Sequence, residues 1–228
     1  MSRNYARRYA KEFNFFRMLY QFIWCAFIAT PIFWLFYKFE IRGQENIPTE
    51  KNKKFICAAN HISHFDPFLV SIALRKPIAY MAKKELFENN AFFTLNMDLL
   101  GAFAVNREKL EVSTIKTVKE LVKTNWLLGI FPQGGIRRNK TIEHINQGFA
   151  VIAKAAKWDI LPISIIGCEQ YNWIPFKSKV IVQIGTIISH KDTEENIIDQ
   201  WGKQVAQMSN YNYIPNKEQQ LNTETTSV

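Results

Sequence analysis

Two patterns of apolar residues divide this chain. From Met18 to Tyr37 twenty residues run without a charge, MLYQFIWCAFIATPIFWLFY, between Arg17 and Lys38. A straight helix of that length reaches about 30 Å, the thickness of a bilayer's hydrocarbon core. Tyr20, Trp24, Trp34 and Tyr37 stand near its ends, where amphipathic rings suit the membrane interface. Pro31 removes a helix hydrogen bond and crowds the preceding turn, so a kink or a break into two shorter helices is expected there. A buried core helix is the bland alternative; the aromatic density and the basic flank weigh against it. A cleaved signal peptide fits worse, because the run is too long and no small-x-small site follows. Spanning the bilayer and lying in one leaflet both stay open, and the basic flank points to the cytoplasmic face.

After Gly43 short apolar runs alternate with amphipathic stretches. Strands are predicted at 55–59, 77–81, 102–105, 126–131, 160–166 and 180–184. Helices are predicted at 67–74, 85–100, from Val112 onward, at 147–157 and at 194–208. Asp66 reads as the N-cap of the helix that Pro67 opens, and Gly101 as the end of another. Strand and helix in alternation predict an α/β protein, a single mixed sheet flanked by helices, behind an N-terminal hydrophobic membrane-anchoring helical segment. The expected organisation is a basic N-terminus and anchor over 1–40, a catalytic-type domain over 41–210 and a flexible tail over 211–228.

Composition sharpens this picture in two places. A chain of 228 residues with 47% apolar and 14% aromatic residues can bury one sizeable core. The net charge of +9 calls for an acidic partner. Arg3, Arg7, Arg8, Lys11 and Arg17, against Glu12 alone, sit just before the apolar run, which favours a membrane lipid surface. No RNP-like sequence, zinc-finger spacing or Arg-rich helix follows, so no nucleic acid partner is expected. Cys25, Cys57 and Cys168 stand singly in apolar runs and read as small buried hydrophobes in a reducing compartment.

The chemistry concentrates in Asn60–Asp66, NHISHFD, directly after the strand FICAA. A histidine and an aspartate five apart do not share a helix face, but a strand-to-helix turn brings them side by side. The carboxylate then accepts one imidazole N–H and fixes the tautomer, while the other nitrogen takes a proton from an attacking hydroxyl. No G-x-S-x-G elbow exists, so that hydroxyl belongs most simply to the substrate. Against this stand Asp66 as a mere cap, His61 as a satisfied turn histidine, and H-x-x-H-x-D with His64 as metal ligands. His144 and His190 lie in no ligand spacing, so no metal is expected.

Four later stretches change the balance: AKKEL at Ala82–Leu86, GAFAVNR at Gly101–Arg107, FPQGG at Phe131–Gly135, and LPISIIG at Leu161–Gly167. In this order and spacing the chain resembles the 1-acylglycerol-3-phosphate acyltransferases and their relatives, the PlsC-like lysophospholipid acyltransferases. That family carries N-H-x-S-x-x-D, K-x-E-L, G-x-x-x-V-x-R, F-P-E-G-T-R and V-P-V-x-x-x-G, and the likeness runs from about Gly43 to Gly185. The resemblance implies His61 as general base and Asp66 as its orienting partner, within the Asn60 and Ser63 motif. It implies a fatty acyl donor, acyl-CoA or acyl-carrier protein, and a lysolipid acceptor, with no bound cofactor. It also implies Arg107 for the acceptor phosphate, Lys84 as a second positive charge, and the turn of Gln133, Gly134 and Gly135 as a binding element.

One motif departs from the family. Gln133, Gly135 and Ile136 stand where it has Glu, Thr and Arg. Arg137 and Arg138 follow and are the candidates to replace the missing arginine. The departure opens acceptors without a phosphate monoester, such as another lysophospholipid or a glycolipid. A metal-assisted lipid hydrolase and a non-catalytic lipid-binding relative are the remaining readings.

Overall fold

The computed structural model describes residues 4–50, 52–88, 90–106, 109–169, 174, 176 and 178–216. The apolar run forms one continuous helical rod from Phe15 to Phe36, the one helix among the described residues long and apolar enough to cross a membrane. It comprises α1 (Phe15–Ile23), a π-helical stretch (Trp24–Ala29) and α2 (Thr30–Phe36). The expected break at Pro31 is therefore absorbed by a widened turn. Thr30 N–H donates to the carbonyl of Cys25, five residues back, and Thr30 Oγ1 donates to the same oxygen at 2.6 Å. Widening the turn relieves the clash that a proline ring makes with the carbonyl four residues before it.

The rod buries Gln21, Cys25, Ala29 and Phe33, one residue in every four, and turns Phe16, Phe22, Phe27 and Trp34 outward. The Gln21 amide bonds to both backbone groups of Ile78 and to Leu100 O at 2.8–2.9 Å, pinning the rod to the globular part. The basic flank differs from expectation. Arg8 is fully buried against Asp98 at 2.7 Å, and Arg17 meets the same carboxylate at 2.7 Å. Two of the five cations thus face inward rather than toward a membrane.

The strands are β1 (Tyr37–Arg42), β2 (Phe55–Ala59), β3 (Ile78–Lys83), β4 (Phe103–Val105), β5 (Leu127–Ile130), β6 (Thr141–Ile142), β7 (Asp159–Ile166), β8 (Ser178–Ile184) and β9 (Asn212–Tyr213). Seven form a mixed sheet in the order β1-β8-β7-β2-β5-β3-β4, in which β7 and β8 are antiparallel and every other pair is parallel. The remaining helices are α3 (Asp66–Leu74), α4 (Ala91–Leu99), α5 (Val112–Leu121), α6 (Gly148–Ala156) and α7 (Glu194–Ser209). β2 alternates between two cores, as a central strand must. Ile56 and Ala58 join the core that includes Val118, Phe149 and Trp201, while Phe55, Cys57 and Ala59 join Leu69 and Phe33. The three cysteines are free and buried.

Several expectations need correction. Asp66 is not the N-cap: Phe65 holds that position, and Asp66 is the first residue of α3. The expected helix at 85–100 is a 3-10 turn, Lys84–Phe87, followed by α4, which starts anew where the Asn90 side chain accepts from Phe93 N at 2.8 Å. Gly101 does end it, at φ +83°, and a Cβ there would run into the Trp126 ring at 2.3 Å. β1 begins inside the expected anchor, and β6 and β9 were not foreseen. Of the expected tail, residues 211–216 are held to the globular part: β9 pairs with β6, and the Asn216 side chain bonds both backbone groups of Ile145. Residues 217–228 lie outside the described residues.

Candidate active site

The carboxyl ends of β2 and β5, adjacent in the sheet, carry the two central motifs. Ligands of open α/β sheets gather at such ends. At the end of β2 the Asn60 amide extends the ladder to β7, donating to Ile165 O at 2.9 Å and accepting from Ile165 N at 2.7 Å. The turn that follows is organised by one carboxylate oxygen. Asp66 Oδ2 accepts from Ile62 N at 2.7 Å and Ser63 N at 2.9 Å, and lies 2.7 Å from His61 Nδ1. Ser63 is buried, and its Oγ accepts from Phe65 N at 3.2 Å. The turn therefore builds itself around the pair that would do the chemistry.

Asp66 is fully buried. Burial pushes its carboxyl up, while the His61 ring and the Ser63 and Ile62 N–H groups pull it back. Held by Asp66, His61 Nδ1 is committed, and Nε2 is the ring nitrogen without a protein partner among the described residues. The imidazole lies flat on the Phe131 ring, centroids 4.1 Å apart and planes 18° apart. Phe131 in turn stacks on Tyr80 at 5.9 Å. Sequence reading quoted Phe131 within FPQGG but did not see it as the shelf for the base. A large ring one residue past a buried strand, beside a motif histidine, was the signal.

The loop after β5 leans on this turn. Arg137 N donates to His61 O at 2.7 Å, and Arg138 Nε donates to Ile62 O at 3.2 Å. Gln133 is buried and donates to Thr141 O and Glu143 O at 3.2 and 3.3 Å, so it ties the loop to β6. Gly134 adopts φ +71°, and open space surrounds the place where its Cβ would stand. Gly135 follows it, half-buried. Arg137 Nε is buried without a hydrogen-bond partner. Phe131 also lines a cavity of about 90 Å³ with Met81, Val105, Ile130, Phe149 and Ile152, and with the polar Asn106, Thr114 and Asn146.

Other expected residues stand apart. Lys84 is exposed in the 3-10 turn after β3 and lies 3.8 Å from Glu88. Arg107 lies outside the described residues. His64 is exposed, and among the described residues no three His, Cys, Asp or Glu side chains gather as metal ligands would.

A histidine oriented by a carboxylate, at the strand ends of an α/β sheet beside a loop with two arginines, is the geometry a general base needs. The particular family follows from comparison: residues 38–166 match the family model described as Acyltransferase, and the chain belongs to the PlsC-like acyltransferases. It is 31% identical over 153 residues to the 1-acyl-sn-glycerol-3-phosphate acyltransferase of Streptococcus pneumoniae, covering 66% of this chain and 56% of that protein. It is 30% identical over 154 residues to the enzyme of the same name from Bacillus subtilis, covering 67% of this chain and 75% of that one. The crystal structure of the 1-acyl-sn-glycerophosphate (LPA) acyltransferase PlsC from Thermotoga maritima superposes with a TM-score of 0.65 over 82% of this chain and 77% of that chain. At 23% identity that likeness speaks for the fold.

Proposed function

We propose that the protein transfers a fatty acyl group from the thioester of acyl-CoA or acyl-carrier protein to the free hydroxyl of lysophosphatidic acid or a related lysolipid. The observation that carries this reading is the His61–Asp66 pair at 2.7 Å. Asp66 keeps the proton of His61 on Nδ1, so Nε2 is the basic nitrogen. Nε2 takes the acceptor's hydroxyl proton as its oxygen attacks the thioester carbonyl carbon. The tetrahedral intermediate collapses, the C–S bond breaks, and the imidazolium returns the proton to the leaving thiolate. Phe131 holds the ring in plane, and the cavity beyond Phe131 offers a mainly apolar seat for part of the acyl chain.

The acceptor's head group falls to the loop. Arg137 and Arg138 lie over the turn of His61, and a guanidinium fork matches phosphate oxygens. Their placement supports a phosphate-bearing acceptor. Ile136 in the place of the family arginine supports the second reading, an acceptor without a phosphate monoester.

The rod works at the cytoplasmic face of a membrane, lying in one leaflet. Gln21 touches the start of β3, and the Phe33 ring meets Phe65, beside the catalytic turn, at 5.7 Å. A helix fastened to the globular part along its length leaves its outward aromatics to enter the lipid, and brings its α2 end to the site. Acyl transfer from labelled donors to lysophosphatidic acid, lysophospholipids and glycolipids, with His61→Ala as control, tests the proposal. Transfer that depends on His61 is the expected result. Lipid binding with no transfer to any acceptor would replace it with the non-catalytic reading.

A further inference from the structure

A second groove shares no lining residue with the cavity beside Phe131. It runs between α1 and the junction of α3 with β3, encloses about 240 Å³, and is walled by Met18, Leu19, Phe22, Cys25 and Pro77. This junction is the start of β3, whereas the His61 turn follows the carboxyl end of β2, and β2 and β3 both run parallel to β5. Arg75 and Lys76 stand at the groove. Neither forms an ion pair with an acidic side chain among the described residues. Arg75 also holds the left-handed position that closes α3, at φ 52°, which glycine or asparagine adopts with less strain.

Walls that are apolar apart from Gln21 and Ser71, two cations without an acidic partner among the described residues and an opening toward the outward face of α1 describe one kind of ligand. We propose that this groove binds an anionic phospholipid of the surrounding leaflet, one acyl chain along α1 and the phosphate against Arg75 and Lys76. Charge complementarity selects the anionic head group, because guanidinium and ammonium groups near a membrane surface attract acidic lipids. The groove is continuous with the surface that meets lipid: Phe15 and Phe22, both on its wall, are 63% and 62% exposed. A lipid there would clamp the rod to α3 beside the Gln21 amide bonds, since Gln21 also lines the groove.

Photolabelling tests this without reference to turnover, so its failure would leave the acyl-transfer reading standing. The full chain is reconstituted in phosphatidylcholine bilayers with a trace of phosphatidylglycerol or phosphatidylcholine carrying a diazirine on one acyl chain, and labelled peptides are mapped. Phosphatidylglycerol should label 15–25 and 71–77 severalfold more than phosphatidylcholine. Arg75→Asn with Lys76→Gln should bring that labelling down to the phosphatidylcholine level, with asparagine keeping the left-handed turn. Leu19→Trp, which fills the groove and leaves both cations, should lower labelling from either probe and serves if the double variant does not fold. Equal labelling by the two lipids, or labelling unchanged by these substitutions, would overturn the proposal.

Discussion

The turn that holds His61 and the loop that follows β5 touch at two hydrogen bonds, yet they are built on opposite terms. In the turn most polar groups are committed: Asn60 to β7, Ser63 to Phe65, and Asp66 Oδ2 to His61 and two backbone N–H groups, with Asp66 Oδ1 buried without a partner. In the loop open space surrounds Gly134, Arg138 is exposed, and the Arg137 Nε is buried without a hydrogen-bond partner. Proton transfer needs one tautomer in one orientation, so its residues are over-determined. On the proposed function the loop recognises a head group, a task that tolerates substitution, and it is where the chain departs from the family motif.

The largest effect should come from the turn. His61→Ala should lower acyl transfer by about 10²–10⁴-fold with every acceptor, measured as initial rate in detergent. Asp66→Asn should lower the rate by a similar order, because the wrong tautomer is then held. It should also change the response of stability to pH. Burial raises the Asp66 carboxyl, so the folded state binds that proton more tightly than the unfolded one. Its contribution is therefore largest in acid and fades as pH rises from the ordinary value of 3.8 through the raised one. Thermal melting of wild type minus Asp66→Asn should fall along that course, and a difference that grows with pH would contradict it.

The loop should yield smaller and more selective effects. Arg137→Gln and Arg138→Gln together should raise the KM for lysophosphatidic acid by about tenfold or more, from loss of charge-assisted hydrogen bonds worth about 1.5–3 kcal/mol. The same pair should leave transfer to an uncharged acceptor near the wild-type rate. Gly134→Ala should cost about 1–2 kcal/mol of stability through the left-handed backbone alone, since nothing crowds the new methyl group. Chemical denaturation measures that, and a much larger loss would mean the loop is packed more tightly than its open space indicates.

The His61 turn was legible because the pattern that marks it is local. Asn60–Asp66 specifies residue types at fixed offsets, and the strand FICAA before it is apolar throughout. Most strands and helices of the sheet were legible for the same reason, through short-range periodicity. What escaped depends on distant partners. β1 mixes Lys38, Glu40 and Arg42 with Phe39 and Ile41, and becomes a strand by pairing with β8, about 140 residues away. Arg8 looks like a solvated cation until Asp98 faces it, and β6 and β9 are two residues each. Asp66 looked like a cap because Asp-Pro opens many helices, but its carboxylate had nearer donors in Ile62 and Ser63.

The proposed function divides the work between turn and loop, proton transfer to His61 and head-group recognition to Arg137 and Arg138. Single-turnover acyl transfer would be measured to lysophosphatidic acid and to a lysolipid without a phosphate monoester, for wild type, His61→Ala and the Arg137→Gln, Arg138→Gln pair. That division predicts that His61→Ala slows both acceptors equally, whereas the arginine pair changes only their ratio. A His61→Ala protein with near-full turnover, or an arginine pair that slows both acceptors alike, would contradict it.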